Sequence, residues 1–385
     1  MNQFTKKTVA LLASLTIAST SAVAVSARGL SDLFGGNSLL PSISSQVSAP
    51  SGNYWNYYSS QLNSKEKQAY NKICNGIKNE ETKISVPVLD ASSRTKVFKA
   101  VFAEHPEFYY ANRAAHWNGT DDEMYFMPTY NSYKGTQSQV KAAADKFLTG
   151  APRNGSDYEK ELYVHDKLVN ETTYQLNRPG IYNSLINHVG NCEGYSFAMQ
   201  YLLSELGVKC RVVEGRAYRQ DGSSESHMWN VVRLNGKDYV LDTTWDDAIG
   251  QAHSGYFVSH RYFNRTKDQM ASDHVPNNAS EWSTCTNADS DYFKKNGLYF
   301  STYEDAKKSL ADIVKKDLDK NDYNIALQFG SRAEAEKALN ALGPNFGILD
   351  YVKTANQTAN NKASDSSVSW DTSTSQNVVI LFLQK

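Results

Sequence analysis

The sequence predicts an α+β fold in which a helix that carries a cysteine packs on an antiparallel sheet. Residues 192–206 place apolar side chains on one face and end at Gly207, as an amphipathic helix does. Three segments alternate apolar and polar side chains as strands do: residues 208–214, 228–234 and 237–241. Asn235-Gly236 predicts a tight hairpin between the last two strands. From residue 298 helical and strand-like segments alternate, which indicates a small C-terminal α+β domain.

The first 52 residues are expected to lie outside the folded body. Lys6 and Lys7 precede an apolar run that small residues close at Ala27, which is typical of a secretory signal peptide over residues 1–27. A lone membrane anchor is the weaker alternative, because the run is rich in Ser, Thr and Ala. Residues 28–52 are rich in Ser, Gly and Pro and predict a flexible leader. We therefore expect a secreted or extracytoplasmic protein, with the cell surface as one location and no membrane contact after signal cleavage.

Residues 53–155 predict a helical N-terminal region. Asn63 or Ser64 is placed to cap a first helix, and further helical patterns follow at these positions: residues 92–104, 137–148 and 157–170. Residues 125–130 read as a strand, and Pro128 favours an edge position for it. The main domain is then expected at residues 156–297.

The C-terminal domain is expected at residues 298–385. Its predicted helices are residues 303–316 and 332–342, and its predicted strands are residues 298–300, 323–329, 346–353 and 378–383. Residues 355–375 are rich in Asn, Ser and Thr and predict a loop.

Composition excludes several classes of function. The chain has 40% hydrophobic and 21% charged residues, as globular proteins do, and a formal charge of −1. The sequence has no basic tail or basic patch of the kind that would indicate a nucleic-acid partner. Apart from Cys192 there are three cysteines, Cys74, Cys210 and Cys285, too few for a disulfide framework; they allow one bridge at most, and we expect none.

Three residues form the candidate catalytic group. Cys192 begins a predicted helix with Asn191 as its N-cap, where the helix dipole and free amides stabilise a thiolate. His227 begins one strand of the hairpin and Asp242 follows its partner strand, so the fold brings them side by side. An imidazole that a carboxylate orients can activate a thiol for acyl transfer. Asp246 and Asp247 are alternatives for the carboxylate.

The motifs around these residues resemble those of the transglutaminase-like superfamily, in its secreted bacterial branch: Asn191-Cys192-Glu193-Gly194-Tyr195-Ser196, Ser226-His227-Met228-Trp229-Asn230 and Leu241-Asp242-Thr243-Thr244-Trp245-Asp246. The resemblance covers about residues 160–290, and more loosely the segment 104–110. It implies a papain-like fold with Cys192 as nucleophile, His227 as general base and acid, and Asp242 as the orienting carboxylate. The superfamily includes transglutaminases, proteases, peptide N-glycanases and inactive members, so the reaction stays open.

Other residues are candidates for the pocket or the oxyanion hole: Tyr182, Glu193, Trp229, Asn230 and Trp245. Tyr182 is a candidate hydrogen-bond donor to the oxyanion. The two tryptophans either line the pocket or pack in the core. Asn230 either forms a side-chain hydrogen bond near the hairpin or only pairs with the neighbouring strand. Glu193 either caps its own helix or contacts substrate.

No metal site and no cofactor are expected, because no histidine pair has helical ligand spacing and no C-x-x-C pair occurs. The expected function is thiol-dependent acyl transfer on protein or peptide amides, either hydrolysis of the protease or amidase type or transfer of the transglutaminase type. A cell-wall peptide is one candidate substrate. The alternative is a catalytically silent surface or cell-wall-associated binding protein that uses the same fold.

Overall fold

The computed structural model describes residues 54–114, 116–251 and 257–385, with the backbone alone for residues 248–251. The predicted signal peptide and leader, residues 1–27 and 28–52, lie outside these residues. Among the helices of the described segments, none combines the length and apolar character that crossing a membrane requires.

The α-helices follow one another along the described chain as α1 (Ser64–Lys78), α2 (Ala91–Glu104), α3 (Gln137–Phe147), α4 (Asp157–Glu171), α5 (Gly180–Ile186), α6 (Cys192–Glu205), α7 (Thr243–Gln251), α8 (Lys267–Met270), α9 (Tyr292–Lys295), α10 (Tyr303–Lys307), α11 (Leu310–Asp319), α12 (Arg332–Leu342) and α13 (Ile348–Asn356).

The strands are β1 (Ile84–Val86), β2 (Trp117–Gly119), β3 (Met124–Phe126), β4 (Thr173–Tyr174), β5 (Val189–Gly190), β6 (Lys209–Tyr218), β7 (Ser224–Leu234), β8 (Lys237–Leu241), β9 (His274–Pro276), β10 (Tyr299–Phe300), β11 (Asn324–Phe329), β12 (Val368–Trp370) and β13 (Val378–Leu383).

Helix α6 packs against an antiparallel sheet of order β8-β7-β6-β9, which confirms the predicted α+β fold. The predicted hairpin joins β7 to β8, with Leu234 opposite Lys237. Two hydrogen bonds join the helix to the sheet: the Ser196 hydroxyl donates to the Met228 carbonyl over 3.0 Å, and the Asn230 amide donates to the Ser196 carbonyl over 3.0 Å. These bonds fix the start of α6 relative to β7.

The N-terminal region contains the predicted helices and also a short sheet of order β1-β3-β2. Asn63 caps α1, and Glu66 completes a capping box. The predicted edge position of the strand near Pro128 is wrong: β3 is the central strand, and Pro128 lies beyond its last residue, Phe126, where it removes no ladder hydrogen bond. One hydrophobic core continues from Tyr54 through this region and around α6.

The C-terminal region, residues 298–385, has its own hydrophobic core within residues 306–383, and a second cluster joins Phe257 and Phe293 to β13. That this region is a separate domain stays a prediction. Its sheet has the order β10-β11-β13-β12. The strand predicted at 346–353 is wrong, because this segment forms α13. Its buried residues recur at helical spacing: Ile348, Leu349, Val352 and Ala355. The helix predicted at 303–316 is two helices that meet at Ser309.

Two buried arginines join the C-terminal domain to the sheet that carries the hairpin. Arg261 donates to the Ser373 carbonyl over 3.0 Å and pairs with Asp371 at 2.8 Å. Arg265 donates to the Gln376 carbonyl over 3.1 Å. Gln376 has φ of 58°, a left-handed conformation that is costly for a residue with a side chain, so these bonds hold a strained loop in place.

Candidate active site

Cys192 is the first residue of α6 and is half-buried. The Asn191 side chain accepts the N–H of Gly194 over 3.1 Å, as an N-cap does, and leaves the thiol at the positive end of the helix dipole. Strand β5 leads directly into this helix and pairs with β4, where Tyr174 lies opposite Gly190. The thiol is therefore held between a short parallel pair and the start of a buried helix.

His227 and Asp242 meet as the hairpin predicts. The His227 Nε2 lies 2.7 Å from the Asp242 Oδ2, and both side chains are buried. Strand β7 begins at Ser224, so His227 lies within the strand and not at its start, opposite Gly215 of β6. The Cys192 thiol also belongs to the surroundings of His227, where it adds to the effect of Asp242 on the pKa of the imidazole. The fold thus brings the three predicted side chains into one region.

The charges in this group favour an imidazolium. Burial lowers the pKa of His227, but the Asp242 carboxylate and then the Cys192 thiol outweigh burial and raise it to about 10. Burial raises the pKa of Asp242, yet His227 and a second histidine hold it well below its usual range. His227 is therefore positively charged beside the thiol at neutral pH, and Asp242 carries the balancing negative charge.

Asp242 is also fixed by the backbone. Its Oδ1 accepts the N–H groups of Thr244 and Trp245 over 3.0 and 3.2 Å at the start of α7, and its own N–H donates to the Tyr262 carbonyl over 3.1 Å. This leaves Oδ2 to face the histidines. The carboxylate therefore has one oxygen for the helix and one for the imidazoles.

A second histidine, His274, contacts the same oxygen of Asp242. Its Nε2 lies 3.0 Å from Asp242 Oδ2, and its Nδ1 lies 2.7 Å from Asp273 Oδ1. Asp273 in turn accepts from the Tyr262 hydroxyl over 3.0 Å and from the Gln376 amide over 3.2 Å. A chain of polar contacts thus leads from His227 to the C-terminal domain. The sequence did not predict it, because these residues belong to no motif and the contact between Asp273 and Gln376 spans 103 positions.

The Glu193 side chain points away from the start of its own helix, so it does not take the capping role that was one of the two predicted for it. Its carboxylate pairs with Arg113 at 3.9 Å, and burial raises its pKa although Arg113 opposes this. Arg113 also pairs with Glu214 at 2.6 Å. Glu193 and Arg113 border a cavity of about 220 Å³ whose other lining residues include the aromatic side chains Phe102, Phe108, Tyr109, Tyr133 and Phe197. The residue next to the thiol therefore belongs to a largely aromatic cavity with charged groups on its wall.

Tyr182, a sequence candidate for the oxyanion hole, stacks on Tyr133 at 4.3 Å between ring centroids and lies 6.2 Å from Tyr109. Tyr174 is the tyrosine whose surroundings include the thiol. Burial, followed by the charge of Cys192, raises the pKa of Tyr174 to about 12. Tyr174 was missed because a tyrosine in a two-residue strand carries no motif.

The two tryptophans differ in exposure. Trp229 is fully buried and packs on His274 at 5.0 Å and on Trp282 at 6.0 Å, so it belongs to the core. Trp245 is half-buried, with its ring 5.7 Å from that of His227 and 4.7 Å from that of His274. Trp245 therefore remains the candidate for a pocket wall. Asn230 is committed to the backbone of α6, as described above.

The alternative carboxylates have other partners. Asp246 Oδ2 lies 3.2 Å from His165 Nε2, and its Oδ1 accepts from the Ser259 hydroxyl over 2.9 Å. Asp247 accepts from the Tyr195 hydroxyl over 2.5 Å. Of the three aspartates, Asp242 is the one that contacts His227.

Two groups within the described residues have ligand atoms close enough together to hold a metal ion, within 4.8 Å of one another. One is His227, Asp242 and His274, in which a single carboxylate oxygen serves both histidines and all three side chains are buried. The other, the outer cluster, is His165, Asp166 and His260, which is partly exposed. Neither group was predicted from the sequence, because its histidines lie far apart in the chain and belong to no helical ligand pair or C-x-x-C motif.

Comparison with known proteins gives a family for the central segment. Residues 141–243 match the family model of the transglutaminase-like superfamily. The curated relatives named kyphoscoliosis peptidase, from Mus musculus and Homo sapiens, are each 30% identical over 98 residues. The match covers 23% of this chain and 15% of each relative, so the chain spans about a seventh of their length.

Solved structures with lower identity also match. A crystal structure of a TGase is 15% identical, with 41% of this chain and 48% of that chain covered and a TM-score of 0.24. The periplasmic domain of TgpA from Pseudomonas aeruginosa is 16% identical, with 37% and 66% covered and a TM-score of 0.22. At such scores the family match over residues 141–243 is the comparison that bears on this chain.

Proposed function

We propose, from the premise that this chain belongs to the transglutaminase-like superfamily through residues 141–243, that it is a thiol-dependent acyl-transfer enzyme. The substrates proposed are protein or peptide amides. The observation that carries the proposal is the position of His227, which contacts Asp242 at 2.7 Å and whose pKa is raised by Asp242 and by the Cys192 thiol at the start of α6.

The proposed reaction has two steps. The reaction starts from the pair in which His227 already carries the proton of Cys192, and the Cys192 thiolate attacks the amide carbonyl carbon to form a tetrahedral oxyanion. Collapse of the oxyanion breaks the C–N bond, and His227 returns the proton to the departing amine, which leaves a thioester on Cys192. Water or a primary amine then loses a proton to His227 and attacks the thioester. The product is an acid or a new amide, and expulsion of the Cys192 thiolate restores the starting pair of thiolate and imidazolium.

Asp242 is the proposed orienting carboxylate. It holds the imidazole through Nε2, which directs the other ring nitrogen to the thiol, and it stabilises the imidazolium. The backbone N–H of Cys192 is the proposed oxyanion donor, since Asn191 already occupies that of Gly194. Tyr174 and Trp245 are the side chains we propose as borders of the reacting carbonyl.

The cavity beside Glu193 is the proposed binding site for a substrate side chain. Its aromatic wall suits an apolar or amide-bearing side chain, and the Arg113–Glu193 pair offers a donor and an acceptor for polar groups. A protein or peptide fits this mixture. We also propose export through the signal peptide at residues 1–27, with a cell-wall peptide as a candidate substrate.

The test is the rate of iodoacetamide modification of the purified protein between pH 5 and 10, with the labelled cysteine identified by mass spectrometry. We expect Cys192 to react fast at neutral pH and the reaction to slow in His227→Ala. The other cysteines are internal controls: Cys74, Cys210 and Cys285 are buried, and burial raises the pKa of Cys285 to about 12. Uniformly slow labelling of Cys192 would contradict the proposal and favour the silent binding protein.

A second assay separates hydrolysis from transfer. A glutamine-containing protein is incubated with a fluorescent primary amine, and both amine incorporation and peptide-bond cleavage are followed. Incorporation that competes with cleavage indicates transfer, and cleavage alone indicates a peptidase. Both products should disappear in Cys192→Ala, which controls for contaminating enzymes.

A further inference from the structure

We propose that the outer cluster, His165, Asp166 and His260, is a binding site for a zinc-like divalent metal ion. The Oδ1 of Asp166 lies 2.9 Å from His165 Nδ1 and 2.8 Å from His260 Nε2. The three ligand atoms lie within 4.8 Å of one another, so an ion about 2.1 Å from each needs only small side-chain movements. This site lies apart from the thiol and does not depend on the proposed reaction.

The surroundings of the outer cluster are those of a metal site. A histidine that binds a metal usually donates its other ring N–H to a carboxylate, which fixes the ring. His165 does this through Nε2, which lies 3.2 Å from the buried carboxylate of Asp246. The ring of His260 is stacked on Tyr292 with 3.7 Å between centroids and 2° between planes. Both candidate histidines are thus held in position before any ion binds.

Charge and exposure also fit a divalent ion. Asp166 and Asp246 place two carboxylates beside His165, and these offer two negative charges to an ion of charge +2. The side chain of Asp166 is 36% exposed, so an ion can enter and keep a water ligand, whereas His165 is fully buried. Two nitrogen ligands and one carboxylate suit zinc and similar transition metals, while calcium and magnesium prefer oxygen ligands.

A metal here would join two parts of the chain that the fold already brings together. His165 and Asp166 lie on α4, and His260 lies in the segment that precedes α8. The same segment carries Tyr262, whose carbonyl accepts the N–H of Asp242 and whose own N–H donates to Asp246 over 3.0 Å. The ion would therefore stabilise the backbone that supports Asp242.

The test uses the full chain with Cys192→Ala, so that the thiol cannot bind the probe. After treatment with a chelator the protein is dialysed against zinc, and bound metal is measured by mass spectrometry, affinity by competition with a chromophoric chelator, and Tm by calorimetry. We expect one zinc per chain and a higher Tm. Loss of a residue that only hydrogen-bonds to a metal ligand lowers metal affinity by up to about 100-fold. His260→Gln and Asp166→Asn remove ligands themselves, so each should weaken zinc binding by at least about 100-fold.

The matched control is His116→Gln, which removes an exposed histidine away from the cluster. It should bind zinc as the parent does. Calcium at the same concentration should leave Tm unchanged. Circular dichroism in zinc-free buffer establishes that each variant is folded, and Asp166→Asn keeps the size of a partly exposed side chain. Absence of zinc from the parent, equal binding in the cluster variants, or loss of zinc only in His274→Gln would overturn the proposal.

Discussion

Two histidine–aspartate groups lie on either side of the start of α7. In the inner group Asp242 contacts His227 and His274, and four residues later Asp246 contacts His165 of the outer cluster. The inner group is buried throughout, whereas Asp166 in the outer cluster is 36% exposed. The same residue types thus occur in a closed and in an open setting.

In both groups one carboxylate oxygen contacts both histidines, so the difference between them is the burial of that carboxylate. In the inner group the carboxylate is buried, and the proposed reaction uses the other ring nitrogen of His227. In the outer cluster the shared carboxylate, Asp166, is partly exposed to solvent. The nitrogens that contact it, Nδ1 of His165 and Nε2 of His260, therefore lie beside a position that an ion from solvent can reach. Burial suits proton transfer, and partial exposure suits exchange of an ion.

The largest expected effect is that of Cys192→Ala. This substitution removes the thiol, which the inner group has beside it and the outer cluster lacks. Loss of a nucleophile from a catalytic group typically costs at least about 10⁴-fold in turnover. We expect iodoacetamide labelling at neutral pH and amide turnover both to disappear, while the Tm changes little because Cys192 is only half-buried. Turnover that persists in Cys192→Ala would place the chemistry elsewhere.

Next comes Asp242→Asn, which breaks the inner group. Loss of the orienting charge should lower turnover by about 10⁴-fold, as in related triads, and loss of one partner from a buried ion pair should reduce the free energy of unfolding by about 3 kcal/mol. Turnover is measured with the amine-transfer assay and stability by urea unfolding. An unchanged turnover would remove Asp242 from the proposed mechanism.

The pKa of His227 predicts how stability changes with pH. The folded pKa of His227 is raised to about 10, so its stabilisation is complete below about pH 6.5 and is lost as pH rises through 10. The stabilisation from Asp242, whose pKa is lowered, is lost only in acid. The free energy of unfolding of the wild type should fall between pH 7 and 10. This fall should flatten in Asp242→Asn, and an identical slope in both proteins would contradict the assigned ion pair.

A smaller effect is expected for Gln376→Ala, which cuts the chain of contacts between the inner group and the C-terminal domain. Loss of the hydrogen bond to Asp273 should reduce the free energy that holds the inner group in place by about 1 kcal/mol. This corresponds to a factor of about five, which we expect as the decrease in the labelling rate of Cys192. The matched control is Asn361→Ala, which removes a side-chain amide that bonds within the C-terminal domain, to Leu318. Equal labelling rates in both variants would assign Gln376 a purely structural role.

The smallest effect is expected for His260→Gln in metal-free protein. Its bond to the partly exposed Asp166 is worth about 0.5–1 kcal/mol, as other exposed ion pairs are. Urea unfolding should therefore show a much smaller loss than in Asp242→Asn. A loss as large as that of Asp242→Asn would mean that the two groups do not differ as their exposure indicates.

Local signals in the sequence predicted the centre of the inner group. The Asn235-Gly236 turn sets the register of the hairpin, and the register brings His227 to Asp242. His274 and Gln376 were not predictable in this way, because their contacts depend on chain paths with no period or turn signal. The helix at Ile348–Asn356 was predicted as a strand, since a short apolar run fits both periods and only the packing of the C-terminal core decides between them.

The place of β13 in its sheet has a consequence for the timing of folding during synthesis. Residues 378–383 form an interior strand between β11 and β12, so the C-terminal sheet cannot close until residue 383 has left the ribosome. Gln376, which precedes this strand, is anchored only then. A nascent chain that already has its cysteine, histidine and aspartate therefore still lacks the last support behind them, and we expect full reactivity of the thiol only once residues 376–383 have folded.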